Sequence, residues 1–153
     1  MQKIVYINID GIIAEYASKM VSQMNSIITA DRYEYLSFFY ELVPPTKGGI
    51  ESVNYLLNIS ELNVYFISSP SWNESEEWLE KKEWLGQLFN NKDIDKRLFL
   101  CHQKQLLVGD YLIDDSWRHG SKQFEGKWIQ IGVDPKFPGW DEVLEFLIKD
   151  VKS

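Results

Sequence analysis

The sequence predicts an α/β domain on a doubly wound, Rossmann-like parallel sheet, with a small helical cap inserted after the first strand. Three observations predict it: short apolar runs without alternation, amphipathic segments between those runs, and polar clusters at the ends of the runs. Strands covered on both faces read as continuous apolar runs, and helices between them give the right-handed crossovers that a parallel sheet needs.

The first run, Ile4–Ile7, is too short for a helix and ends in Asn8-Ile9-Asp10-Gly11. Four more runs have the same character: Asn63–Ile67, Leu98–Leu100, Tyr111–Ile113 and Trp128–Ile131. Helical spacing fills the gaps. Gly49–Ile59 places Ile50, Val53, Tyr55, Leu56 and Leu57 largely on one side, and Glu74–Phe89 does the same with Trp78, Leu79, Trp84, Leu85 and Leu88. The final helix, Asp141–Val151, opens on acidic residues that suit a helix N-terminus and carries Val143, Leu144, Leu147 and Ile148.

The alternation breaks once. Residues 15–43 hold no convincing strand: Ala17–Ile28 reads as a helix, followed by Tyr33, Tyr35, Phe38, Phe39 and Tyr40. The expected division is therefore a core of residues 1–14 and 44–153 and a cap of residues 15–43. A segment inserted there leaves the sheet at its carboxyl edge, where open α/β sheets bind ligands, and is placed to cover a site. Pro44-Pro45 ends it, and Lys47-Gly48-Gly49 leads into the next helix.

Composition narrows the function classes. The 153 residues suit one domain, and 44% hydrophobic with 14% aromatic content argues for a packed core. A net charge of −7 opposes a phosphate backbone or an anionic membrane, so neither a nucleic acid polymer nor a membrane is an expected partner. The start lacks the layout of a signal peptide, and the expected location is cytoplasmic. Cys101, the one cysteine, cannot form an internal disulfide, and His102 and His119 are too few to build a zinc site with it.

Four polar clusters follow strand ends: Asn8-Ile9-Asp10, Ser68-Ser69-Pro70, Lys104 and Asp114-Asp115. Each alone is an ordinary turn, loop or surface lysine. In a parallel sheet, however, all strand ends share one edge, so these residues converge. Aspartates are hard oxygen donors suited to Mg²⁺, the Ser68 and Ser69 hydroxyls precede a helix, and Lys104 adds a fixed charge. A cation, a lysine and a hydroxyl around one point form a layout for binding and transferring a phosphoryl group.

These segments together resemble the 5'(3')-deoxyribonucleotidases of the haloacid dehalogenase-like superfamily. The resemblance runs through Asn8-Ile9-Asp10-Gly11-Ile12-Ile13-Ala14-Glu15-Tyr16, Phe38-Phe39, Pro44-Pro45, Gly49 and Val64 to Pro70. It continues through Lys81, Trp84, Lys104, Gly109 to Asp115, His119-Gly120 and Trp128-Ile129, and so covers nearly the whole chain. It implies Mg²⁺-dependent, two-step hydrolysis of deoxynucleoside monophosphates, in which a first aspartate attacks phosphorus and a second acts as acid, then base. Carried over, Asp10 is the acid/base, Ser68 the second-motif hydroxyl and Lys104 the charge-neutralising lysine. The implied metal set is Asn8, Asp10, Asp114 and Asp115. Lys81 and Ser69 are expected at the phosphate and Phe39 at the base, while the shorter insertion carries no guide to base selection. The implied partner is a nucleoside monophosphate, with a homodimer left open.

The departure is Asn8, which stands in the nucleophile's position. A neutral amide is a poor nucleophile, so covalent catalysis is expected to fail, although an amide carbonyl can still ligate Mg²⁺. A natural pseudoenzyme, an engineered trap and a rerouted mechanism with Asp10 activating water all fit the sequence. A non-catalytic module that binds nucleotide or a protein through the same fold is the alternative. A response-regulator-like receiver fits less well, since its phosphoacceptor lies later in the chain.

Overall fold

The computed structural model describes residues 1–15, 43–73 and 75–153. The expected cap helix, the aromatic residues that follow it, Phe39 and most of the expected cap lie outside these residues.

Among the described residues five parallel strands form one sheet, in the order β3-β2-β1-β4-β5. They are β1 (Lys3–Asn8), β2 (Leu62–Ser68), β3 (Leu98–Leu100), β4 (Tyr111–Ile113) and β5 (Lys127–Ile129). Among the described residues the helices are α1 (Gly49–Leu57), α2 (Ser75–Leu88), a one-turn α3 (Asn91–Ile94) and α4 (Trp140–Lys152). The chain therefore belongs to the Rossmann-like α/β class.

Alternate residues of the strands supply two cores. Val5, Ile7, Val64, Phe66, Ile113 and Ile129 face Val53 and Leu56 of α1, Trp84 and Leu85 of α2, and Val143 and Leu147 of α4. Tyr6, Ile67 and Leu112 face the other way and pack on Phe124. Burial on both faces is why these strands lack a period of two. The connections on the second face are shorter than expected: β3 reaches β4 through a 3-10 turn at Lys104–Leu106, and β4 reaches β5 through another at Arg118–Gln123.

The helices follow from simple causes. α4 buries Trp140, Val143 and Leu147, spaced three and four apart. Its Asp141 and Glu142 lie in the first turn and Lys149 and Lys152 in the last, each favoured by the helix dipole. Among the described residues no helix is long and apolar enough to cross a membrane.

The strand order sets the site. The chain moves outward from β1 to β2 and β3, then returns to the other side of β1 for β4 and β5. Connections diverge beyond the carboxyl ends of β1 and β4, the crevice in which doubly wound sheets bind ligands. Asn8 closes β1, and Asp114 directly follows β4. The chain before residue 16 and after residue 42 also meets here, where the Glu15 N–H donates to the Pro44 carbonyl at 2.8 Å and Thr46 N–H to the Ile13 carbonyl at 2.7 Å.

Candidate active site

Four strand ends deliver the polar clusters to one place. Asn8, Asp10, Ser69, Lys104, Asp114 and Asp115 all line a single open cavity of about 820 Å³. Ser68 lies behind it, fully buried, and Lys81 of α2 is equally buried.

Asp114 is the most enclosed carboxylate. Its Oδ2 accepts from Lys104 Nζ at 2.6 Å and from Ser121 Oγ at 2.6 Å. Its Oδ1 accepts from Asn8 Nδ2 at 3.1 Å and from the Ser116 N–H at 3.2 Å. The Trp128 indole donates to its main-chain carbonyl at 3.1 Å. A buried carboxylate requires such a shell, because an unpaired charge in a low dielectric is costly. Ser116, Ser121 and Trp128 had no sequence-level signal as members of the site. Ser121 follows a sharp reversal in which His119 and Gly120 adopt left-handed backbone angles, and that turn carries its hydroxyl to Asp114.

Asp10 is held on both oxygens. Lys81 Nζ reaches Oδ1 at 2.5 Å, and Ser68 Oγ donates to Oδ2 at 3.1 Å. Lys81 also pairs with Glu77 of its own helix at 3.4 Å. This lysine therefore fixes the Asp10 carboxylate, while Ser69 is committed to the Cys101 carbonyl at 2.6 Å.

The Asn8 side chain links these two groups. Its amide nitrogen donates to the Asp10 carbonyl oxygen at 3.0 Å and to Asp114 Oδ1 at 3.1 Å, and its carbonyl oxygen accepts from Lys104 Nζ at 3.4 Å. Two hard oxygens thus converge on one point, and an N–H donor occupies that point. The donor set suits a small divalent cation. Asp10 O and Asp114 Oδ1 would hold it, joined by Asn8 once its amide turns over to present oxygen. Among the described residues no group of three or more His, Cys, Asp or Glu side chains is placed as a metal cluster. The side chain of Asp10 is turned to Lys81 and Ser68, so its main-chain carbonyl is the atom that faces the convergence point.

Asp115 sits at the rim beside Gly11. Gly11 has φ +79, and a Cβ there would stand 2.7 Å from Asp115 Oδ2, so any other residue would strain the backbone and displace the Asp115 carboxylate. Burial, and then repulsion from Asp114, push the Asp115 carboxyl up to about 6. His119 is shifted down, first by burial and then by the Lys104 charge. On charge count, the lining carries Asp10, Glu77, Asp114 and Asp115 against Lys104.

The chain is 31% identical over 151 residues to a protein of Vibrio phage KVP40 named "Putative 5'(3')-deoxyribonucleotidase", a match spanning 97% of this chain and 86% of that one. A second relative, from Acanthamoeba polyphaga mimivirus and of the same printed name with the suffix R824, is 26% identical over 137 residues. That match covers 71% of this chain and 61% of the relative. Among solved structures, the HAD domain of effector protein Lem4 from Legionella pneumophila, an inactive mutant, superposes with a TM-score of 0.55. It is 16% identical, with 99% of this chain and 95% of that chain covered, a likeness of fold. No family model matches the chain.

Proposed function

The chain belongs to the 5'(3')-deoxyribonucleotidase family of the haloacid dehalogenase-like superfamily, and on that premise we propose that it binds deoxynucleoside monophosphates with Mg²⁺ in the cytoplasm, with hydrolysis suppressed by Asn8. The observation that supports this most is the meeting of Asn8, Asp10, Lys104 and Asp114, drawn from the ends of three strands, in one cavity.

Each residue has a part in that reading. Lys104 neutralises the incoming phosphate, and its ammonium already stands between Asn8 and Asp114. Ser68 and Lys81 hold the Asp10 carboxylate at the wall of the cavity, and in this reading Asp10 is the acid/base. The excess of carboxylates over Lys104 in the lining opposes an anion that arrives alone. A divalent cation bound at Asp10 O and Asp114 Oδ1 would supply the missing positive charge. Asn8 then withholds the attack: its oxygen carries no full charge, and its nitrogen is engaged as a donor.

The alternative reading is a non-catalytic, nucleotide-binding module. The Asn8 contacts favour it, because they satisfy the site's oxygens with protein donors. Calorimetry with a deoxynucleoside monophosphate and Mg²⁺ tests what the two readings share. Saturable binding is expected, and its absence in both the natural chain and Asn8→Asp defeats both.

A further inference from the structure

We propose that Trp72, backed by His102 and Trp78, is the face on which the nucleobase of the bound nucleotide stacks. This rests on the phosphate reading above and adds where the rest of the ligand lies.

Trp72 is 77% exposed, although it sits on the short loop between β2 and α2, four residues beyond Ser68. Leaving an indole in water forgoes the hydrophobic gain that its burial would return. Its ring plane is nevertheless fixed. The Trp78 ring lies 6.0 Å away at 66°, and the His102 ring 5.6 Å away at 79°. His102 in turn is tied back to the Pro70 carbonyl and meets His119 at 5.6 Å. The Trp78 indole donates to the Ser71 carbonyl at 2.9 Å, which holds α2 against the same loop. An exposed ring braced by two neighbouring rings is a prepared surface, since it has less side-chain freedom to lose on binding.

Position gives that surface its occupant. Trp72, His102 and His119 line the same cavity as Asn8, Lys104 and Asp114, and its volume of about 820 Å³ is far more than a phosphate fills. A phosphate held at Lys104 leaves a sugar and base to extend along the aromatic wall. Every nucleobase has a π-face, so stacking on an indole is strong and tolerant of base identity. The geometry therefore distinguishes nucleotides from base-free sugar phosphates and discriminates weakly among bases.

The test compares a deoxynucleoside monophosphate with ribose 5-phosphate by calorimetry, each with Mg²⁺, on the natural chain, Trp72→Ala and Trp72→Phe. The nucleotide should bind the natural chain at least about tenfold more tightly than the sugar phosphate, the scale of one base-aromatic stack. Trp72→Ala should erase that preference while leaving ribose 5-phosphate affinity unchanged, and Trp72→Phe should keep most of it. Nucleotide should also quench tryptophan fluorescence in the natural chain more than in Trp72→Ala. Equal nucleotide affinity in the natural chain and Trp72→Ala overturns the stacking face and leaves the phosphate site standing. Failure of the natural chain to bind either ligand removes both. An unchanged preference alongside capture of a protein through Trp72 would reassign the ring to an interface and also overturn the proposal.

Discussion

The side-chain nitrogen of Asn8 stands 3.1 Å from Asp114 Oδ1, and the same nitrogen is 3.0 Å from the Asp10 carbonyl. The amide thus cross-links the carboxyl ends of β1 and β4 without any ion. An aspartate at position 8 would lose both donor contacts and set a second negative charge against Asp114. Asn8→Asp should therefore be less stable than the natural chain in EDTA, by on the order of 2 kcal/mol. It should also recover more on adding Mg²⁺, because ligand that binds only the folded state stabilises it by mass action. Thermal melts of both proteins with EDTA and with Mg²⁺ check this. A larger Mg²⁺ response in the natural chain would contradict it.

Lys104 and Asp114 are both buried and 2.6 Å apart. Removing one member of such a pair strands the other charge. Lys104→Met should cost about 3–5 kcal/mol at neutral pH. Lys104→Met combined with Asp114→Leu should cost less than the sum of the two single changes, since neither charge is then left alone. Denaturant unfolding of the four proteins reads the coupling, and simple additivity would count against a coupled buried pair.

Asp115 links pH to stability. Its carboxyl is raised from the ordinary 3.8 to about 6, by burial first and by Asp114 second. The folded state thus holds its proton more tightly than the unfolded state does. Its contribution is fully present below about pH 4 and is lost as pH rises through about 6. In EDTA, the natural chain should lose stability across that window relative to Asp115→Asn, and the two should match most closely near pH 4. Melting temperatures from pH 4 to 8 decide it. Parallel curves would show that Asp115 titrates as it does in the unfolded chain.

The sheet was legible because burial on both faces leaves a simple mark, uninterrupted apolar runs. The runs at 98–100 and 111–113 match β3 and β4, and β1, β2 and β5 differ from their runs by one or two residues at each end. The 3-10 turns at 104–106 and 118–123 left no such mark, since one turn has too few residues to show a period. For the site, the convergence of Asn8, Asp10, Lys104 and Asp114 followed from strand ends sharing an edge. What each polar group bonds to did not follow. Ser121 reaches Asp114 only through the left-handed His119-Gly120 reversal, and Lys81 reaches Asp10 only because α2 buries that face. Both are products of tertiary packing.

Phosphate release from a deoxynucleoside monophosphate with Mg²⁺, measured side by side for the natural chain and Asn8→Asp, tests the central claim most directly. Loss of a catalytic nucleophile has removed on the order of a million-fold in rate in the subtilisin case. The expected result is turnover by Asn8→Asp and little or none by the natural chain. Equal turnover by both, or none by an Asn8→Asp protein that is folded and binds Mg²⁺, would contradict it.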